Sequence, residues 1–136
     1  MNQLKKKNES KDLNIPEDIG GMSGKELVRL AEEMGEMYQG NKTQVRKIYN
    51  DIKKIQHDWK AKKENDENVD EVLNQLHLLK PKIAYAAARK KNMRKLKEDL
   101  EKIINNLKPK QKDIKNFFEL MEAFIAYHAY YSEVKK

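Results

Sequence analysis

Apolar residues recur three and four positions apart along almost the whole of this chain, and β-branched clusters alternating in twos are absent. That spacing places them on one stripe of an α-helix, which is stable only when buried against another stripe. Leu27, Leu30, Ala31, Met34, Met37 and Tyr38 form one run; Val45, Ile48, Tyr49, Ile52, Ile55 and Trp59 form the next. Five Gly and three Pro among 136 residues leave little to interrupt helix formation. The expected fold class is all-α: a single bundle of about five helices, spanning residues 22–136, behind a mobile polar N-terminal lead over residues 1–21.

The punctuation supports this division. Ser23 and Glu26 have the spacing of a capping box, in which each side chain satisfies a backbone N–H at a helix start. Gly40 is placed to stop that helix. A second helix is expected from about Asn41 to Ala61, followed by a charged, exposed loop, KKENDEN, over Lys62–Asn68. A third begins near Val69, with Val72, Leu73, Leu76, Leu79, Ile83, Ala84 and Ala87 in phase. Pro81 interrupts it, because Pro lacks an N–H and clashes with the preceding turn. It either kinks the helix or opens a new one at its first position. The unbroken stripe favours a kink or a very tight break.

A second break follows from geometry. Met93, Leu96, Leu100, Ile103 and Leu107 form a stripe rotated by roughly 140° from the one centred on Leu76 and Ile83. One straight helix cannot bury both against one partner, so a turn is expected over residues 88–92. Pro109 closes the fourth helix. The fifth runs from about Gln111 to Tyr131, with Ile114, Phe117, Phe118, Met121, Phe124, Ile125 and His128 facing inward. Leu-Lys-Pro-Lys occurs at Leu79–Lys82 and again at Leu107–Lys110, without wider similarity, as ordinary helix punctuation.

The charge is unevenly distributed. Residues 72–97 contain eight Lys and Arg and no Asp or Glu, so this segment alone accounts for the formal charge of +7. With no carboxylates inside the segment at helical spacing to pair with them, these cations repel one another in the free chain. A positive field concentrated on one element suits a polyanion, most naturally the phosphates of a nucleic acid.

Other chemistries find little support. There is no Cys, hence no disulfide, thiolate or Cys-ligated zinc. Ser10, Ser23 and Ser132 lie at termini or a cap, and His57, His77 and His128 lack a second ligand at helical spacing. Gly20-Gly21 reads as a linker, and Glu119 with Glu122 as an exposed acidic pair. No enzyme activity, catalytic residue, metal site or cofactor is expected. No apolar run approaches the ~18 residues that span a bilayer, and residues 1–11 lack the apolar core of a secretory signal. A cytoplasmic protein without a membrane partner is the expectation.

Within the basic segment, Lys82 and Arg89 are seven apart and share one side of a helix, with Lys80, Lys90 and Arg94 nearby. Arg89 either complements the helix dipole or presents its planar fork to phosphate, and the second role is preferred. On the second helix Arg46, Lys53 and Lys60 share one flank, while Lys47 and Lys54 lie on the other. Tyr85 is either a packing residue or a platform for a base. His77 and His128 read as histidines at the edge of the core. Ala84, Ala86, Ala87 and Ala88 let another backbone come close.

Three strings in the sequence are similar to a known family: Gln44-Val-Arg-Lys-Ile-Tyr49, Leu76-His-Leu-Leu-Lys-Pro-Lys-Ile-Ala-Tyr-Ala-Ala-Ala-Arg89 and Phe118-Glu-Leu-Met-Glu-Ala-Phe-Ile-Ala-Tyr-His-Ala-Tyr-Tyr131. Together, over residues 41–131, they resemble the small, all-helical subunit of the type III-A CRISPR effector complex. The resemblance implies a non-catalytic subunit stacked in several copies beside a guide RNA–target RNA duplex, contacting the target strand backbone and other CRISPR effector subunits. It also implies RNA-binding roles for Arg46 and Arg89, which stand where the family's basic residues stand. Lys53, Lys80, Lys82, Lys90 and Arg94 join them as candidates from charge placement. Pro81 departs from a usually uninterrupted segment, Ala88 takes a position where Gly is common, and residues 1–40 match little.

An antiviral RNA-binding subunit is therefore the leading expectation. The alternative is a helical interaction module in which the Ala face docks a partner or a second copy, Met34, Met37, Met93 and Met121 adapt the packing, and the lysines only maintain solubility. A DNA-binding helix-turn-helix ranks third, because the tight Gly-containing turn is missing.

Overall fold

The computed structural model describes residues 13–61 and 68–134, and among these every regular element is helical. Six α-helices follow one another: α1 Gly24–Met37, α2 Lys42–Ala61, α3 Val69–Leu78, α4 Lys80–Arg89, α5 Arg94–Asn105 and α6 Gln111–Val134. α3 and α4 are the two halves of the expected Pro-interrupted helix, so the bundle has about five rods, as its stripes require.

The capping box forms. Ser23 Oγ accepts from the Glu26 amide at 3.2 Å, and Glu26 Oε1 accepts from the Ser23 amide at 2.8 Å. α1 ends in a turn built on two left-handed residues, Gly40 (φ 93°) and Asn41 (φ 51°), a conformation that Gly and Asn tolerate best. α6 grips this turn. Ser132 Oγ accepts from the Gly40 amide at 3.1 Å, and His128 Nε2 donates to the Gly40 carbonyl at 2.8 Å.

α1 lies parallel to α6. Near the start of α1, Asn116 donates to the carbonyls of Ile19 and Met22, and near its end Gly35 abuts the backbone of Tyr127 and His128. A Cβ on Gly35 would sit 2.6 Å from Tyr127 Cβ, so glycine is what allows this approach. The helices between these two carry the chain out and back.

Pro81 falls in the first turn of α4, where its missing N–H leaves no helical bond unmade. The break before it is one residue wide: the Leu79 amide donates to the Leu76 carbonyl at 3.1 Å, tightening the last turn of α3. At the second break Lys90 is extended, and a 3-10 turn over Lys91–Met93 leads into α5. Both stripes are thereby buried, Leu76, Ile83 and Ala87 before the break and Met93, Leu96, Leu100 and Ile103 after it. Ile114, Phe117, Phe118, Met121 and Phe124 of α6 fill the centre, with Trp59 tilted against Phe118 at 5.8 Å between centroids.

The lead differs from its expectation where it is described. Ile15 and Ile19 are buried in the core, and a 3-10 turn over Ile19–Gly21 packs on α6. Ile15 and Ile19 are four apart, but Pro16 and Gly20-Gly21 beside them mark a linker, so the sequence does not announce this anchoring. The part of the expected lead before residue 13, and most of the expected exposed loop, residues 62–67, lie outside the described residues.

Candidate nucleic-acid interface

α4 ends up beside α2 because its buried side, Ile83 and Ala87, faces the core while the opposite flank stays in solvent. Between the two helices lies an open groove of about 460 Å³. Lys82, Tyr85, Ala86, Arg89 and Lys90 line one wall, and Gln44, Lys47, Ile48 and Asp51 line the other. Four cations thus face one carboxylate. None of Lys47, Lys82, Arg89 and Lys90 is in an ion pair among the described residues. The short side chain of Ala86 leaves the space open.

A second, shallower hollow adjoins the first. Lys42, Thr43, Arg46, Lys47 and Asn50 line it, so Lys47 borders both. Arg46 is exposed there, while Lys42 is tied to Glu133 of α6 by an ion pair. Cationic surface therefore continues from the first turns of α2 across to α4.

The candidates divide accordingly. Lys82, Arg89 and Lys90 come together in the groove, and Arg46 borders its extension. Lys53 lines neither hollow; its Nζ lies 5.7 Å from the centroid of its own helix's Tyr49 ring. Lys80 turns toward α5, where its Nζ donates to Asn105 Oδ1. Arg94 is exposed at the start of α5, outside both hollows. Lys47 belongs to the groove although the sequence does not mark it as a candidate. Its only signal there is its place on the other flank of α2 from Arg46.

The acid-free segment is not wholly unpaired. Lys95 reaches Asp99 at 3.6 Å, and Lys97 reaches Glu101 at 3.3 Å, both using carboxylates within a turn beyond the segment's end. Those pairs offset two of the segment's eight cations; of the other six, Lys82, Arg89 and Lys90 line the groove.

Tyr85 is 68% exposed on the groove wall, so it is not the packing residue an Ala-rich helix usually provides. The Arg89 guanidinium stands 5.7 Å from its ring centroid, within reach of a cation–π contact. His77 and His128 are core-edge and core residues. Burial first, then Lys80, pulls the imidazole of His77 below its ordinary pKa. Burial likewise dominates at His128, opposed by the Gly40 hydrogen bond and reinforced by Lys42 and Arg46.

Among the described residues no cluster of three or more His, Cys, Asp or Glu could hold a metal ion, and no helix is long and apolar enough to cross a membrane. What the groove offers is several flexible or forked donors at a concave wall, with one aromatic ring among them. Such a surface has the chemistry to hold a chain of phosphates without reading base edges.

The methionines that a protein-docking module would use are in the core instead: Met34, Met93 and Met121 are buried, and Met37 is partly so.

No curated protein and no solved structure matches the chain. The model of the Csm2 Type III-A family matches residues 22–134, a span that takes in α1 as well as the strings noted in the sequence. An all-helical bundle with a localised basic face and a family match over most of its length converge on one assignment: the chain belongs to the Csm2 Type III-A family, the small structural subunits of the type III-A CRISPR complex.

Proposed function

We propose that this subunit holds the target RNA strand by its backbone within the type III-A complex, through the groove between α2 and α4 and the hollow that extends it. The observation that carries this reading is the meeting of Lys47, Lys82, Arg89 and Lys90 on one concave surface, outside any ion pair among the described residues and opposed by a single carboxylate. Arg89 supplies a fork suited to phosphate oxygens; the lysines act as point charges. Lys53, Lys80 and Arg94 contribute at longer range.

The subunit performs no catalysis of its own and works in the cytoplasm. One copy binds RNA weakly, and several copies packed along the effector gain by effective concentration, each holding the next stretch of strand in place. Partners are thus the guide RNA–target RNA duplex, other CRISPR effector subunits and further copies of this chain.

The test is RNA binding by the assembled complex carrying Arg46→Ala and Arg89→Ala, measured across a salt series. Affinity should fall, and the slope of log K against log salt should become shallower by roughly 0.7 for each single-strand phosphate that is no longer neutralised. Unchanged affinity at every salt concentration overturns the site.

A further inference from the structure

An exposed aromatic ring in a cationic groove is not needed for backbone binding, and its exposure costs the free protein favourable burial. Tyr85 is 68% exposed, yet its helix buries Ile83 and Ala87, so the ring has been left out of the core rather than crowded out of a polar helix. Its neighbours are also informative. Lys82 precedes it and Arg89 follows it by about one turn, and all three line the same wall with Lys90. A docking surface for a protein would place apolar side chains around such a ring. Here the surroundings are four cations, Gln44 and the single carboxylate of Asp51, with only Ala86 and Ile48 apolar.

Resting on the RNA-binding reading above, we propose that Tyr85 stacks against an unpaired base of the bound strand, while Lys82, Arg89 and Lys90 hold the phosphates on either side. The groove's volume of about 460 Å³ falls within the roughly 300–1,000 Å³ of small-ligand pockets, which leaves room for a base with its sugar. Arg89 serves two ends. Its guanidinium stands 5.7 Å from the ring centroid, which restrains the side chain beside the ring while its donors remain available to phosphate. Stacking on a π-face tolerates any base, so the contact needs a target-strand base left unpaired by the guide at that position and selects no sequence.

The measurement is binding of the full chain to three probes: a short mixed-sequence single-stranded RNA, the same RNA with abasic positions at its centre, and a fully paired RNA duplex. Tyr85→Ala should weaken binding to the single strand by about fivefold to a hundredfold, the range of one base stack, with the salt slope unchanged. Tyr85→Phe keeps the ring and should bind as the unaltered protein does. The abasic RNA should bind the unaltered protein no better than the intact RNA binds Tyr85→Ala. Lys82→Ala is the reference for phosphate contact. If Lys82→Ala weakens binding and flattens the slope while Tyr85→Ala changes nothing, the stacking proposal falls and the backbone reading stands. If neither variant changes binding to any probe, both fall. Equal affinity of the unaltered protein for intact and abasic RNA also overturns the stacking role.

Discussion

His128 Nε2 lies 2.8 Å from the carbonyl oxygen of Gly40, so the last helix of the chain holds the turn that launches α2. The carbonyl can only accept, which puts a proton on Nε2. Because α2 carries Arg46 and Lys47, this contact helps set one wall of the groove.

A pH dependence follows. Burial holds the His128 pKa below its ordinary value of 6.5, with Lys42 and Arg46 acting in the same direction. The unfolded chain therefore binds a proton more readily than the folded one. Stability is full above the unfolded value and declines as pH falls past 6.5 toward the folded pKa. Urea unfolding at about pH 7.5 and about pH 5.5, on either side of that value, should show a lower midpoint at the acid end. His128→Gln, whose amide can still donate to Gly40, should reduce that difference. It should not abolish it, because His77 is shifted the same way.

Gly35→Ala should destabilise the fold even though Ala is the better helix former. The new Cβ would come 2.6 Å from Tyr127 Cβ and 2.7–2.8 Å from backbone atoms of Tyr127 and His128, which cannot swing aside as a side-chain tip would. Forcing α1 away from α6 costs about 1–3 kcal/mol, as overpacking generally does. Denaturant titration checks this through a lower midpoint with an unchanged slope.

Tyr38→Phe should also cost stability. The Tyr38 hydroxyl donates to the carboxylate of Asp99, which is 4% exposed and has Lys95 at 3.6 Å. Removing one donor from a buried carboxylate costs about 1–3 kcal/mol. A double-mutant cycle with Asp99→Asn should give a coupling energy clearly different from zero, because the two side chains form one hydrogen bond that ties the end of α1 to α5.

The cations should rank by position. Lys47→Ala and Lys82→Ala should each weaken RNA binding and make the salt slope shallower by roughly 0.7. Lys80→Ala and Arg94→Ala should change both less, since Lys80 is engaged with Asn105 and Arg94 lies outside the hollows. A salt series on each single variant gives the ranking.

Much of the fold is readable along the chain because helix signals are local. The Ser23–Glu26 box, the stop at Gly40 and the narrow break before Pro81 depend on residues within about one turn of each other, and the turn at Lys90 follows from the mismatch of the two apolar stripes that flank it. Ile15 and Ile19 are harder to read, since Pro16 and Gly20-Gly21 beside them mark a linker and their cover, α6, is far away in sequence. Gly35 gives no signal either, because its meaning lies in the backbone of Tyr127, far away in sequence.

The site divides in the same way. The concentration of positive charge over residues 72–97 is a property of the sequence, as is the sharing of one helix side by Lys82 and Arg89. Lys47 joins them only because α2 packs beside α4 with a particular rotation about its own axis, and Lys80 leaves them only because Asn105 of α5 is within its reach. Helical periodicity relates residues three or four apart, so the chain by itself fixes which face each helix will bury. Which charged flanks then come to line one groove depends on how side chains from helices distant in sequence interdigitate in the core, and that only the packed bundle decides.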